Sequence, residues 1–290
     1  MDINKLKQGD RRALSKTISL IENGEFNSRE INKIFPEIIS GEVWAITGSP
    51  GVGKSCICEY LIENWLNSNF KVAVLAVDPS SPLSGGALLG DRIRINNSDN
   101  SDNLYFRSLA TRGQSGAIPS NIIDIITLLS ALNYDKILIE TVGAGQAEVR
   151  VAAVSQYLLL VEAPDSGDML QAEKAGLMEL ADIILVNKSD LERAKEKHEQ
   201  LQLALNLSDH ESPPILMVSA KEKSGFEELY LEMNNVCQSN KSRTIKSKIS
   251  LSYAWESLLW NHDEINQIIE KLEANEITLN DAINYLKEGL

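Results

Sequence analysis

The sequence predicts an α/β fold, a mostly parallel sheet with helices on both faces, extended by helical segments before and after it. Three observations predict this. Val43-Trp44-Ala45-Ile46 and Val72-Ala73-Val74-Leu75-Ala76-Val77 are short continuous apolar runs that give way to Gly, Asp or Pro. Lys136-Ile137-Leu138-Ile139, the run 157–161, the run 183–186 and the run 215–218 repeat the pattern. Such runs suit strands buried on both faces, and the intervals between them are long enough for crossover helices. The chain on either side instead carries helical spacing.

Taken in order, residues 1–40 form an expected N-terminal helical extension. Leu14, Ile18 and Ile21 share one helix face, Gly24 reads as a stop, and Ser28-Arg29-Glu30 reads as a second start. Residues 41–240 hold the strand-like runs. The basic stretch from Lys241 to Lys248 is expected to be a solvated tether. Beyond it Trp255, Leu258, Leu259, Ile265, Ile268, Ile269 and Leu272, then Ile283, Leu286 and Leu290, return to helical spacing, so residues 241–290 read as a C-terminal helical arm. Trp255 and Trp260 suit either an interface or a core. Trp65, with Leu61 and Leu66, is expected in the core.

Composition bounds the function. The 290 residues carry 28 Lys+Arg against 41 Asp+Glu, a net charge of −13, which argues against a nucleic-acid partner. No apolar stretch is long enough to cross a bilayer, and the first residues have neither a signal-peptide nor a transit-peptide pattern. Cys56, Cys58 and Cys237 contain no C-x-x-C pair, so a reducing cytoplasm is the expected compartment, with no membrane partner.

In open α/β sheets ligands collect at the carboxyl ends of strands. Gly48-Ser49-Pro50-Gly51-Val52-Gly53-Lys54-Ser55 directly follows the first run and fits G-x-x-x-x-G-K-[ST], which makes the expected fold a P-loop NTPase. The glycines let successive N–H groups face a phosphate, and the helix from about residue 53 to 66 adds its N-terminal dipole. Lys54 would reach the β- and γ-phosphates and Ser55 would ligate Mg²⁺.

The run 183–186 leads into Asn187-Lys188-Ser189-Asp190, an N-K-x-D motif. A carboxylate at Asp190 accepts from guanine N1–H and N2–H₂ together, whereas adenine offers no such pair, so the expected ligand is GTP or GDP. Lys188 would lay its stem over the base and Asn187 would brace the loop. Ser219-Ala220-Lys221, closing the next run, resembles the fifth GTPase motif, whose backbone touches guanine O6. For the metal, carboxylates at strand ends are needed, and Asp78, Asp91 and Glu140 are the candidates. Glu140-Thr141-Val142-Gly143 matches D-x-x-G with Glu for Asp. Ala144 stands where Ras-like GTPases place the water-orienting glutamine, and Gln146 follows two residues later, so slow hydrolysis that a partner accelerates is expected.

These residues together resemble the MeaB/ArgK family of methylmalonyl-CoA mutase-associated GTPases. The likeness rests on Asp78-Pro79-Ser80-Ser81-Pro82, Ser84-Gly85-Gly86, Leu89-Gly90-Asp91, Glu140-Thr141-Val142-Gly143-Ala144-Gly145-Gln146 and Glu179-Leu180-Ala181-Asp182, and runs almost the whole chain from Gly9-Asp10-Arg11-Arg12. The resemblance implies a cytoplasmic homodimeric GTPase that guards adenosylcobalamin loading onto an acyl-CoA mutase and protects that mutase. It implies phosphate and Mg²⁺ roles for Lys54 and Ser55, and metal and switch roles for Asp78, Asp91 and Glu140. Arg94 and Lys174 match switch positions, and 165–176 matches a third switch. Cys56 stands after the loop serine where the family usually has Thr, Ala87 replaces a usual Ser, and Pro164-Asp165-Ser166-Gly167-Asp168 is more acidic than the usual P-G-A-G-D.

Two other readings compete. A metal-insertion GTPase of the nickel class would need ligand clusters, yet Cys56 and Cys58 fall on different sides of a helix and His198, His210 and His262 are scattered. A kinase phosphorylating a transport-binding protein would ordinarily use ATP, against which N-K-x-D argues.

Overall fold

The computed structural model describes residues 2–39, 41–78, 102–110, 118–119, 121–141, 146–166, 172–206, 212–236, 247–252, 255 and 264–288, without the side chains of 78, 146–148, 172–175 and 287–288. Three helices open the chain. Helix α1 (Ile3–Lys7) leads to α2 (Arg11–Glu22), whose N-cap Asp10 accepts from the Ala13 N–H at 2.7 Å. Leu14, Thr17, Ile18 and Ile21 form the buried face of α2, and the chain leaves the helix through Gly24 at φ +75°. Helix α3 (Ser28–Ile34) begins at Ser28, as the sequence pattern suggests, and Asn27 and Glu30 close a capping box at its start.

Seven strands follow: β1 (Glu42–Thr47), β2 (Val72–Asp78), β3 (Leu104–Ala110), β4 (Lys136–Thr141), β5 (Tyr157–Glu162), β6 (Ile183–Val186) and β7 (Ile215–Met217). They form one sheet in the order β3-β2-β4-β1-β5-β6-β7, and every pairing is parallel. All six predicted runs are strands. The seventh, β3, escaped the sequence reading because Arg107 and Ser108 interrupt its apolar character. It lies at the sheet edge, and α2 supplies its polar partners: the Arg107 guanidinium donates to Ser19 Oγ at 3.1 Å and pairs with Glu22, and Ser15 Oγ lies 3.2 Å from Tyr105 Oη.

Side chains alternate across the sheet, so the two faces have separate cores. Val43 and Ala45 of β1 join the core that contains Leu14, Ile18 and Ile21 of α2 and Ile125, Leu128 and Leu129 of α5 (Ile122–Ala131). Trp44 and Ile46 face the other core, with Ile57, Leu61 and Trp65 of α4 (Lys54–Asn67) and with Phe226 and Leu229 of α9 (Phe226–Asn235). Trp65 is thus core packing. Helices α6 (Gln146–Val154), α7 (Ala172–Leu180) and α8 (Arg193–Asn206) complete the crossovers.

At the C-terminal end, α10 (Ile265–Glu273) and α11 (Leu279–Glu288) bury Ile268, Ala282 and Leu286 in a small cluster of their own. Trp255 is exposed, as are Leu279, Ile283 and Tyr285. Trp260, Cys237, His210, His262 and the basic stretch 241–246 lie outside the described residues.

Because Ile18 is fully buried between α2 and the sheet core, Ile18→Ala is expected to lower unfolding free energy by about 2–5 kcal/mol. The urea midpoint should drop with an unchanged slope; an unchanged midpoint would mean that the N-terminal helices do not contribute to the cooperative unit.

Candidate functional site

Strand β1 pairs with β4 on one side and β5 on the other, so the point at which the strand order reverses lies at its carboxyl end. The loop that leaves β1 there has three positions shaped for glycine. Gly48 sits at φ +142°, and a Cβ built on it would meet the Val161 carbonyl oxygen of β5 at 2.0 Å. Gly51 and Gly53 have φ of +80° and +96°. The loop therefore wraps tightly at the end of β5 and enters α4 from Gly53, whose left-handed backbone makes the turn into the helix. Pro50, Gly51 and Cys56 are exposed, while Val52 and Lys54 are buried. The Lys54 ammonium donates to the Gly48 carbonyl at 2.6 Å and the Ser49 carbonyl at 3.1 Å, so it is held inside the loop.

Beside it lie two strand-end residues with oxygen-bearing side chains. Glu140 stands opposite Ile46 in the register of β1 and β4, and its Oε1 accepts from Ser55 Oγ at 2.8 Å. Thr141 Oγ1 donates to the Ile46 carbonyl at 3.4 Å and lies 3.1 Å from Thr47 Oγ1, a buried hydroxyl pair bridging the two strand ends. Asp78 ends β2, two strands from β1, opposite Ala110; its side chain, and the whole of Asp91 and Arg94, lie outside the described residues. Gln146 begins α6 and Lys174 lies in α7, their side chains likewise outside, and so is Ala87.

A second group of sequence-predicted site residues comes from the exits of β6 and β7. Asn187 is buried; its Nδ2 donates to the Val52 carbonyl at 2.7 Å, its Oδ1 accepts from the Ala220 N–H at 3.1 Å, and its own N–H donates to the Glu162 carbonyl at 2.8 Å. One amide side chain thus joins three loops. The packing is close: a Cβ on Gly53 would meet Asn187 Nδ2 at 2.3 Å. Asp190 Oδ1 accepts from the buried Ser219 hydroxyl at 2.6 Å, and Lys221 Nζ lies 3.7 Å from Oδ2. The Ser219 hydrogen bond, with help from Lys221, holds the Asp190 carboxyl below its usual range, so it is ionised at neutral pH. An antiparallel bridge between Ser219 and Ser224 fixes this turn. Lys188, at φ +60°, reaches across to Asp165, with Nζ 2.8 and 3.1 Å from its two carboxylate oxygens.

The sequence reading passed over one group next to this site. Glu162, closing β5, is buried; its Oε2 accepts from Ser166 Oγ at 2.7 Å and lies 3.8 Å from Nζ of the buried Lys197 on α8. The signal was present, since Glu162 closes an apolar run just as Asp78 and Glu140 do; its partner 35 positions away was not.

The two helix cysteines part company as their spacing requires. Cys56 is exposed and Cys58 buried, and burial, then the nearby Glu140 charge, pushes the Cys58 thiol well above its usual range. A thiol kept protonated is a poor metal ligand. Among the described residues no group of three or more His, Cys, Asp and Glu gathers as a metal cluster, and no helix is long and apolar enough to cross a membrane.

The family described as "Methylmalonyl Co-A mutase-associated GTPase MeaB" matches residues 14–271. The GTPase ArgK of Escherichia coli is 30% identical over 287 residues, covering 94% of this chain and 86% of that one. A fused isobutyryl-CoA mutase of Cupriavidus metallidurans is 35% identical over 193 residues, 65% of this chain but 18% of that much longer protein. Among solved structures, one titled as an LAO/AO transport system kinase superposes with a TM-score of 0.64 at 24% identity, covering 99% of this chain and 95% of that one, which shows the shared fold.

Gly53→Ala places a methyl group against Asn187 Nδ2 at a positive φ. It should cost about 1–3 kcal/mol of stability and loosen the phosphate loop. Thermal unfolding and amide exchange of residues 48–55 check this, and wild-type protection in the variant would show that the contact does not hold the loop.

Proposed function

The chain belongs to the MeaB family of methylmalonyl Co-A mutase-associated GTPases, and on that premise we propose that it binds and hydrolyses GTP in the service of a cobalamin-dependent acyl-CoA mutase. Its nucleotide state gates adenosylcobalamin loading onto that mutase and protects the loaded enzyme. The observation that carries the partner is the fused isobutyryl-CoA mutase, in which a segment like 193 residues of this chain shares one polypeptide with a mutase.

The residues divide the work. The amides of residues 48–55 and the Lys54 ammonium take the phosphates, with Cys56 following at the α-phosphate side. Asp190, one oxygen already fixed by Ser219, accepts from the guanine N1–H and N2–H₂. Lys188 lays its stem on the base, Asn187 braces the loops, and the 219–221 turn offers the Ala220 amide to guanine O6. The apposed Ser55 hydroxyl and Glu140 carboxylate are hard oxygen donors suited to Mg²⁺, with Asp78 and Asp91 as further ligands. A cation held by these oxygens would supply charge neutralisation to a bound polyphosphate.

Catalysis by Lys54, Glu140, Asp91, Arg94 and Gln146 is slow in the isolated chain, because no glutamine follows Gly143 directly, and contact with the mutase accelerates it. Arg94, Lys174 and 165–176 relay nucleotide state to the partner. The protein works in the cytoplasm as a homodimer, for which exposed Trp255, Leu279, Ile283 and Tyr285 supply apolar surface. No specific observation favours the nickel-insertion reading, and the kinase title of a structural neighbour brings only a fold.

Asp190→Asn should weaken GTP by roughly 10²-fold and shift preference toward xanthosine triphosphate, since an amide donates where the carboxylate accepted. Unchanged GTP affinity would refute the base assignment. GTP turnover should rise when a purified methylmalonyl- or isobutyryl-type mutase is added; turnover indifferent to both would refute the partner.

A further inference from the structure

The exits of β5 and β6 lie side by side, because Glu162 stands opposite Val186 in their register. The β5 exit is a tight turn over residues 163–166. The Ser166 N–H donates to the Ala163 carbonyl at 3.0 Å, and Ser166 Oγ contacts Ala163 and the buried Glu162, 2.7 Å away. Lys197 Nζ, buried, donates to the Ser166 carbonyl at 3.3 Å. The turn is therefore anchored on a buried ion pair, and its tip presents Asp165 to the ammonium of Lys188 at 2.8 Å. Lys188 itself leaves the backbone at φ +60°, one residue after the buried Asn187.

We propose that Asp165 is a positioning residue of the guanine site: it holds the tip of Lys188 so that the lysine stem is already laid in place when the nucleotide arrives. This deepens, and rests on, the reading of Asn187-Lys188-Ser189-Asp190 as the base motif. A lysine stem has several rotatable bonds, and ordering it on binding costs affinity. An ion pair at its tip, carried on a turn that is itself fixed, removes part of that cost beforehand. Asp165 does not touch the base; it acts through Lys188. Because the pair is solvent-exposed, its contribution is modest and falls as salt screens it.

The test is the release rate of a fluorescent GDP analogue from wild type, Asp165→Asn, Asp165→Glu, Lys188→Met and the Asp165→Asn/Lys188→Met double variant, between about 50 and about 500 mM KCl. At low salt Asp165→Asn should release GDP roughly 2- to 5-fold faster, with an unchanged melting temperature in the absence of nucleotide. Asp165→Glu should restore most of the difference. The wild-type rate should rise with salt toward that of Asp165→Asn, whose own rate should stay nearly flat. In the Lys188→Met background, Asp165→Asn should add nothing. Equal release rates and equal salt dependence in wild type and Asp165→Asn would overturn the proposal while leaving the base motif intact. So would an Asp165→Asn effect that persists undiminished without the Lys188 ammonium. A wild-type chain that binds no guanine nucleotide would overturn the proposed function first, and this inference with it.

Discussion

The arrangement depends on one buried amide. Asn187 donates to the phosphate-loop carbonyl of Val52 and accepts from the backbone of Ala220, while its own N–H is held by the end of β5. Four chain segments distant in sequence are registered to one another by these bonds. With the side chain buried, each unmade bond would leave a polar group without water. The loop 48–55 and the turns at 187–190 and 219–221 are therefore tied to one another, which is the arrangement the proposed nucleotide site needs.

Glycine makes that closeness possible. Gly48 leaves room for the β5 backbone and Gly53 leaves room for Asn187, so the two glycines serve contacts as well as loop shape. The parallel sheet brings the segments together: β1, β5 and β6 are neighbours, and the loops at their carboxyl ends are the phosphate loop, the Asp165 turn and the base motif. On the other side β4 delivers Glu140 to Ser55. Position in the strand order, more than nearness in sequence, decides which residues meet.

Legibility followed the same division. The central strands were readable because burial on both faces forces continuous apolar runs, and the loop motif was readable because its function needs contiguous residues. The edge strand β3 was not, because Arg107 answers to Glu22 and Ser19 on α2 and so breaks the apolar pattern. The start of α3 at Ser28 is readable, whereas the cap at Asn27 is not, since its reciprocal bond with Glu30 identifies it only once the turn exists. Cys56 and Cys58 were correctly separated by helix geometry alone. Within the site, the Ser55–Glu140, Ser219–Asp190 and Asp165–Lys188 partnerships link residues that no spacing rule connects. Glu162 shows the limit clearly: its position at a strand end can be read, but its burial against Lys197 depends on how α8 packs against β6 and β7.

We propose that the loop 48–55 grips a polyphosphate whose base Asp190 selects as guanine. Isothermal calorimetry of the purified chain in magnesium buffer tests it most directly, titrating GDP, GTP and ATP in turn. The account predicts saturable one-site heats for GDP and GTP and none for ATP at the same concentrations. No heat with either guanine nucleotide, or equal affinity for ATP, would contradict it.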